Sequence, residues 1–85
     1  MADGVLVTDA QGRLVDRNPA AGDFFEIGNR RLARGERIAD QVPELFANGE
    51  TVPEVEFNSR HFSVQKNTFH GDRGKVRGVV YSFRD

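Results

Sequence analysis

Two histidines, His61 and His70, are the only imidazoles in this chain of 85 residues, and it has no cysteine. Without cysteine there are no disulfides, thiolate metal sites, cysteine nucleophiles or cysteinyl cofactor adducts. His61, His70 and Asp72 can be drawn as a metal set, but their spacing matches no strong ligand pattern. Asp9, Asp16 and Asp23 are the candidate carboxylates for acid–base work. Each has a simpler reading, as a turn residue, an exposed strand residue and a helix-surface residue respectively. The sequence has no glycine-rich phosphate loop of the required form and no nucleophile-elbow pattern. The expectation is a chain that is not an enzyme and carries no metal.

Charge narrows the partners further. A formal net charge of −1 argues against nucleic-acid binding by bulk electrostatics. Arginine outnumbers lysine ten to two, and Arg30, Arg31, Arg34 and Arg37 form the one local basic cluster, read as a solvated face. No charged-then-apolar leader and no long apolar run occurs, so this segment is expected to insert in no membrane and to be cytoplasmic. Its length suits a single domain over residues 1–85, with a core of limited size.

The elements that would position these residues begin with Asp3–Ala21. Two short β-rich runs, Val5–Thr8 and Arg13–Arg17, flank a tight turn at Asp9–Gly12. Asn18-Pro19 then opens a helix. The Asn side chain can accept from a first-turn N–H, and Pro at the first helical position has no N–H to leave unpaired. Gly12, Asn18 and Pro19 are therefore read as structural. The helix carries Ala20, Ala21, Phe24 and Ile27 as its apolar stripe, with Gly28 as its stop. In the first strand Val5 and Val7 share one face and Leu6 and Thr8 the other. Leu6 and Val15 are taken as the solvent-side apolar residues.

From Asn29 to Gly49 the pattern suggests short helical pieces: one at Ile38–Val42, and one opened by Pro43 and ended by Asn48-Gly49. After Gly49 the period changes to two. Glu54–Phe57, His61–Phe69 and Val76–Phe83 read as strands joined by polar turns. Val55 with Phe57, Phe62 with Val64, and Val79 with Tyr81 and Phe83 are the faces expected to bury. Val80, on the opposite face of the last strand, would join Leu6 and Val15 in an outer apolar patch. The order is ββ, helices, βββ: an α+β domain with a five-stranded antiparallel sheet and short helices packed on one face.

At this point the chain resembles the PAS sensor domains. The resemblance rests on Asp3-Gly4 before the first strand, Asp9 with Gly12 in the first turn, Asn18-Pro19-Ala20 at the helix start, and the ending Gly78-Val79-Val80-Tyr81-Ser82-Phe83-Arg84-Asp85. The interval between Asn18 and the third strand is shorter than is usual in that family, so its helices are reduced and any cavity is small or filled by Phe side chains. The resemblance implies a sensory or signal-transduction module, expected to be excised from a larger protein such as a histidine kinase or similar two-component regulator. Covalent flavin chemistry of the light-sensing branch needs a Cys that is missing, and no ring-recognising Asn/Gln set stands out. A haem ligand could come only from His61 or His70, and both fall in or beside the strand hairpins, where a surface or turn histidine is the reading, so no cofactor is expected.

Three roles follow. In the first, the module dimerises, or docks a flanking helix, through Leu6, Val15 and Val80. It would relay changes along the last strand through Tyr81, Phe83, Arg84 and Asp85. In the second, a small molecule binds between sheet and helices against Phe24, Leu45, Phe46, Phe57, Phe62, Val64 and Tyr81, although these side chains can equally fill a core. The third is a passive protein-interaction scaffold.

Overall fold

The computed structural model describes residues 3–26 and 30–85. Five strands form one antiparallel sheet: β1 (Gly4–Asp9), β2 (Leu14–Arg17), β5 (Glu54–Phe57), β6 (Arg60–His70) and β7 (Val76–Arg84). Their spatial order is β2-β1-β7-β6-β5, so the last strand in sequence lies at the centre. Helices α1 (Pro19–Phe25) and α2 (Ile38–Gln41) and a 3₁₀ turn at Pro43–Leu45 fall between β2 and β5. A two-residue hairpin, β3 (Phe46–Ala47) with β4 (Glu50–Thr51), follows that turn. The fold is α+β, as the pattern of the sequence requires.

The first hairpin turns where the residues demand it. Asp9 Oδ1 accepts from the N–H groups of Gln11 and Arg13, each at 2.9 Å. Gly12 sits at φ +81°, a left-handed conformation that costs glycine little. The register slips between Val7 and Thr8, so that β2 has an extra residue there. Consequently Leu14 is buried while Val15 and Asp16 are both exposed, where a plain alternation places Val15 opposite the other two.

Asn18 has a larger role than capping. Its Oδ1 accepts from Ala21 N–H at 2.9 Å, which caps α1, and also from Val5 N–H at 2.9 Å. Its Nδ2 donates to the Asp3 carbonyl at 2.7 Å. One amide thereby ties the helix start to the edge of β1. The expected helix end at Ile27 and Gly28 lies outside the described residues.

The core faces the helices. Leu6, Leu14, Ala21, Phe25, Ile38, Val42, Leu45, Phe62 and Phe83 are buried, and Phe24, Val55 and Tyr81 nearly so. Phe25 is its aromatic centre, edge-on to Phe83 at 4.9 Å and to Phe57 at 5.2 Å between ring centroids. Phe24 lies 4.6 Å from Phe62. The faces expected to bury on the three closing strands are the ones that do.

Leu6 corrects the reading of β1. It is fully buried opposite Tyr81, so Val5 and Val7 point to the open side of the sheet. Val-Leu-Val is apolar at every position, and only pairing with β7 decides which face turns inward. Asn48-Gly49 is also different from expectation. Both residues have positive φ, 54° and 79°, and form the two-residue turn of the β3–β4 hairpin rather than a helix end.

Replacing Asn18 by Ala removes the cap and strands Val5 N–H and the Asp3 carbonyl. The expected loss is roughly 2–3 kcal/mol, above the ~1 kcal/mol of an ordinary cap. A urea unfolding series reads it as a lowered midpoint at unchanged slope, and an unchanged midpoint would remove Asn18 from this role.

Candidate functional site

The side chains that could do chemistry are kept apart by the fold. His61 and His70 stand at opposite ends of β6. His61 Nε2 lies 2.8 Å from Glu56 on the solvent side, and His70 and Asp72 are exposed at the far hairpin. Among the described residues, no three His, Asp or Glu side chains converge as a metal site would need. Asp9 builds its turn. Asp16 accepts from Arg17 N–H at 2.8 Å and from Arg34 at 3.0 Å, while Asp23 is exposed on α1.

The arginine cluster is likewise divided. Arg30 reaches Glu44 at 3.3 Å and lies over the Phe57 ring, 4.7 Å from its centroid. Arg34 pairs with Asp16, and Arg31 donates to the Arg30 carbonyl at 2.8 Å. Arg30, Arg31 and Arg34 thus each meet a nearby carboxylate or carbonyl, while Arg37 borders the cleft beside Phe46 and Tyr81.

The residues proposed to line a pocket mostly pack on each other. Phe24, Leu45 and Phe62 are buried in the core, with Phe57 and Val64 packed against its edge. Phe46 and Tyr81 have a different position. Their rings meet edge-on at 6.1 Å, and both line a cleft of about 240 Å3 with Gly12, Arg37, Ile38 and Gly49. Val64 instead borders a second, more open groove of about 450 Å3 along β4 and β6. The seven side chains therefore do not enclose one space.

Tyr81 is the titratable group that this packing perturbs. Burial disfavours the charged phenolate and raises its pKa above the ordinary 10.0, and the nearby Thr51 hydroxyl opposes part of that rise. The two hydroxyls do not reach hydrogen-bond geometry, and Thr51 Oγ1 is buried with no partner among the described residues.

At the other end of β7 the chain is held by ions. Arg60 pairs with the Asp85 carboxylate, and its guanidinium lies over the rings of Phe24 and Phe62, 4.9 and 5.3 Å from their centroids. Arg84 reaches Asp3 at 3.4 Å. Arg60 is thus a direct physical link between core aromatics and the end of β7. The sequence hid this role because Arg60 reads as a turn residue. The open face of the sheet carries Val5, Val7, Val80 and the half-exposed Val15. Leu6 is absent from it.

The order ββ, helices, βββ, the strand order and the asparagine-proline joint narrow the fold, and comparison with known families decides it. A family model described as the PAS fold matches residues 1–85. The chain belongs to the PAS family. PAS domains are sensory and signalling modules, and that general role extends to this one. No curated protein gives a significant match. No helix among the described residues is long and apolar enough to cross a membrane.

Tyr81 is the only tyrosine, so its titration is visible directly in tyrosinate absorbance. The folded domain holds the phenol proton more tightly than the unfolded chain does. Stability is therefore full below pH 10.0 and falls as pH climbs through the raised folded value. The apparent pKa should exceed 10.0 in the native domain and return to it in denaturant. A native value at 10.0 would contradict the packing around Tyr81.

Proposed function

We propose that this PAS domain is a non-catalytic signal-relay module of a larger cytoplasmic regulator, a histidine kinase or a similar two-component protein. It couples changes in its core to the segment leaving β7, and it pairs with a second copy or a flanking helix through the open face of the sheet. The observation that carries the reading is Arg60. One guanidinium touches Phe24 and Phe62 at the core and Asp85 at the strand end. A shift of α1 or of the Phe24–Phe62 contact changes where that guanidinium can sit, and with it the hold on Asp85. A relay requires an element with two arrangements, and in this reading the Arg60 contact is that element. Tyr81 and Phe83 place the inner face of β7 in the same core, and Arg84 and Asp85 continue it outward.

Val5, Val7, Val15 and Val80 give the open face its apolar character and replace the patch that included Leu6. A contiguous apolar surface of this kind suits a docked helix or a second sheet. The cleft beside Phe46 and Tyr81 favours a second reading, in which a small molecule supplies the input at that point.

The test uses the parent protein with Arg60→Gln. Arg60 and Asp85 are both partly exposed, so the ion pair itself contributes no more than about 1 kcal/mol and the domain stays folded. The expected result is retained basal output with loss of the response to stimulus. A folded variant whose response is unchanged would leave the domain as a passive scaffold. Light scattering over a concentration series, with Val80→Asp as the comparison, reads the open face. The mass should fall toward the monomer in the variant.

A further inference from the structure

Strand β6 outruns its neighbour. β5 pairs with it only over Arg60–Ser63, and the last bond across that edge is donated by Val64 N–H to the Pro53 carbonyl at 2.8 Å. There the preceding chain turns away to the helical layer, with Val52 N–H donating to the Leu45 carbonyl at 2.9 Å. Alternate residues of an antiparallel strand bond toward the same edge. Since Val64 bonds toward β5, the N–H and C=O groups of Lys66 and Thr68 point outward beyond it, with no partner among the described residues. An unpaired run of this kind is a template for another strand. The groove of about 450 Å3 lies alongside, between Glu50–Pro53 and Val64 with Lys66.

The residues along this edge fit a second copy of themselves. A two-fold axis at Asn67 would set Lys66 of each copy opposite Thr68 of the other, with Asn67 facing Asn67. Four backbone hydrogen bonds would form, and no like charges would lie directly opposite. Pairing would stop at Val64, whose N–H is already taken. The same symmetry carries the β6–β7 turn of each copy to the start of β5 in the other. That turn and its flanks hold Arg73, Lys75 and Arg77 against the single carboxylate Asp72, whereas the wall they approach holds Glu50 and Glu54, both exposed. The charges are complementary in this direction.

We propose that β6 is a homotypic pairing edge, joining two copies antiparallel through Lys66–Thr68 into one continuous ten-stranded sheet. The hydrogen bonds of this contact run along the edge of the sheet and not across its open face. It is small, so it forms at high local concentration, as when a parent protein already holds two copies together.

The absence of cysteine makes the test direct. In the two-fold register Asn67 forms a non-hydrogen-bonded pair, whose Cα atoms come about 4.5 Å apart, within disulfide reach. Asn67→Cys should cross-link under mild oxidation in a concentration-dependent way. Gln65→Cys should not, because its two copies lie roughly 13 Å apart along the strands. Thr68→Pro removes only an N–H that is unbonded in the monomer, and added to Asn67→Cys it should abolish the cross-link while circular dichroism stays native. Arg73→Glu with Lys75→Glu should reduce cross-linking several-fold, and Glu50→Lys with Glu54→Lys added should restore it. Val5→Asp, on the open face but two strands away from β6, should leave it intact. No cross-link from Asn67→Cys, equal cross-linking from Gln65→Cys, or insensitivity to both the proline and the charge reversal would overturn the proposal.

Discussion

The hydrogen bonding of β7 on both its edges is the constraint on which the rest of the domain hangs. Its residues from Gly78 to Phe83 pair with β1 on one side, and Val76 to Arg84 pair with β6 on the other. That placement sets Leu6 against Tyr81, fixes the inward face of β1, and brings Phe83 under Phe25. It also explains Gly78. A Cβ there would run into the Thr8 carbonyl and lie 2.7 Å from the Phe69 ring, so a side chain would separate the strands. The helical layer then attaches through Asn18, whose amide spans β1 and α1.

The same arrangement separates two kinds of surface. On the inner side aromatic rings fill most of the space between sheet and helices, so input from a small molecule would have to enter at the cleft by Phe46 and Tyr81. On the outer side, valines from β1, β2 and β7 remain available. Between the two runs Arg60, packed on Phe24 and Phe62 and paired with Asp85. Arg30, paired with Glu44, lies over the Phe57 ring alone, whereas the Arg60 cation rests on two buried core aromatics. Ion pairing alone at such exposure is weak, and the geometry against the rings gives it leverage.

Much of the fold was legible in the residues. The Asp9–Gly12 turn, Asn18-Pro19 and the alternation in β5, β6 and β7 each carry a local physical cause. What escaped was set by long-range pairing. Val5-Leu6-Val7 has no polar position to mark a face, and Asp16, which alternation puts on the face of Leu14, owes its exposure to a bulge. Asn48-Gly49 serves equally well as a helix terminator or a hairpin turn, and nothing nearby distinguishes them. The role of Arg60 depends on the alignment of β6 with β7, and the free edge of β6 on Pro53 ending its cover, neither of which is local in sequence. Tyr81 was legible as a core residue, but its place beside Thr51 and a cleft was not.

The central position of β7 also bears on how the domain is made. Gly4 pairs with Phe83, so the strand built first must wait for the strand built last before its inner edge is satisfied. Until then the first hairpin offers an exposed edge carrying Val5, Leu6 and Val7. Contacts between such distant parts of the sequence slow folding, because the intervening chain must be closed before they form. On the ribosome this domain cannot assemble progressively from its beginning; it has to wait until nearly all of β7 has emerged, and then complete its sheet in one late step.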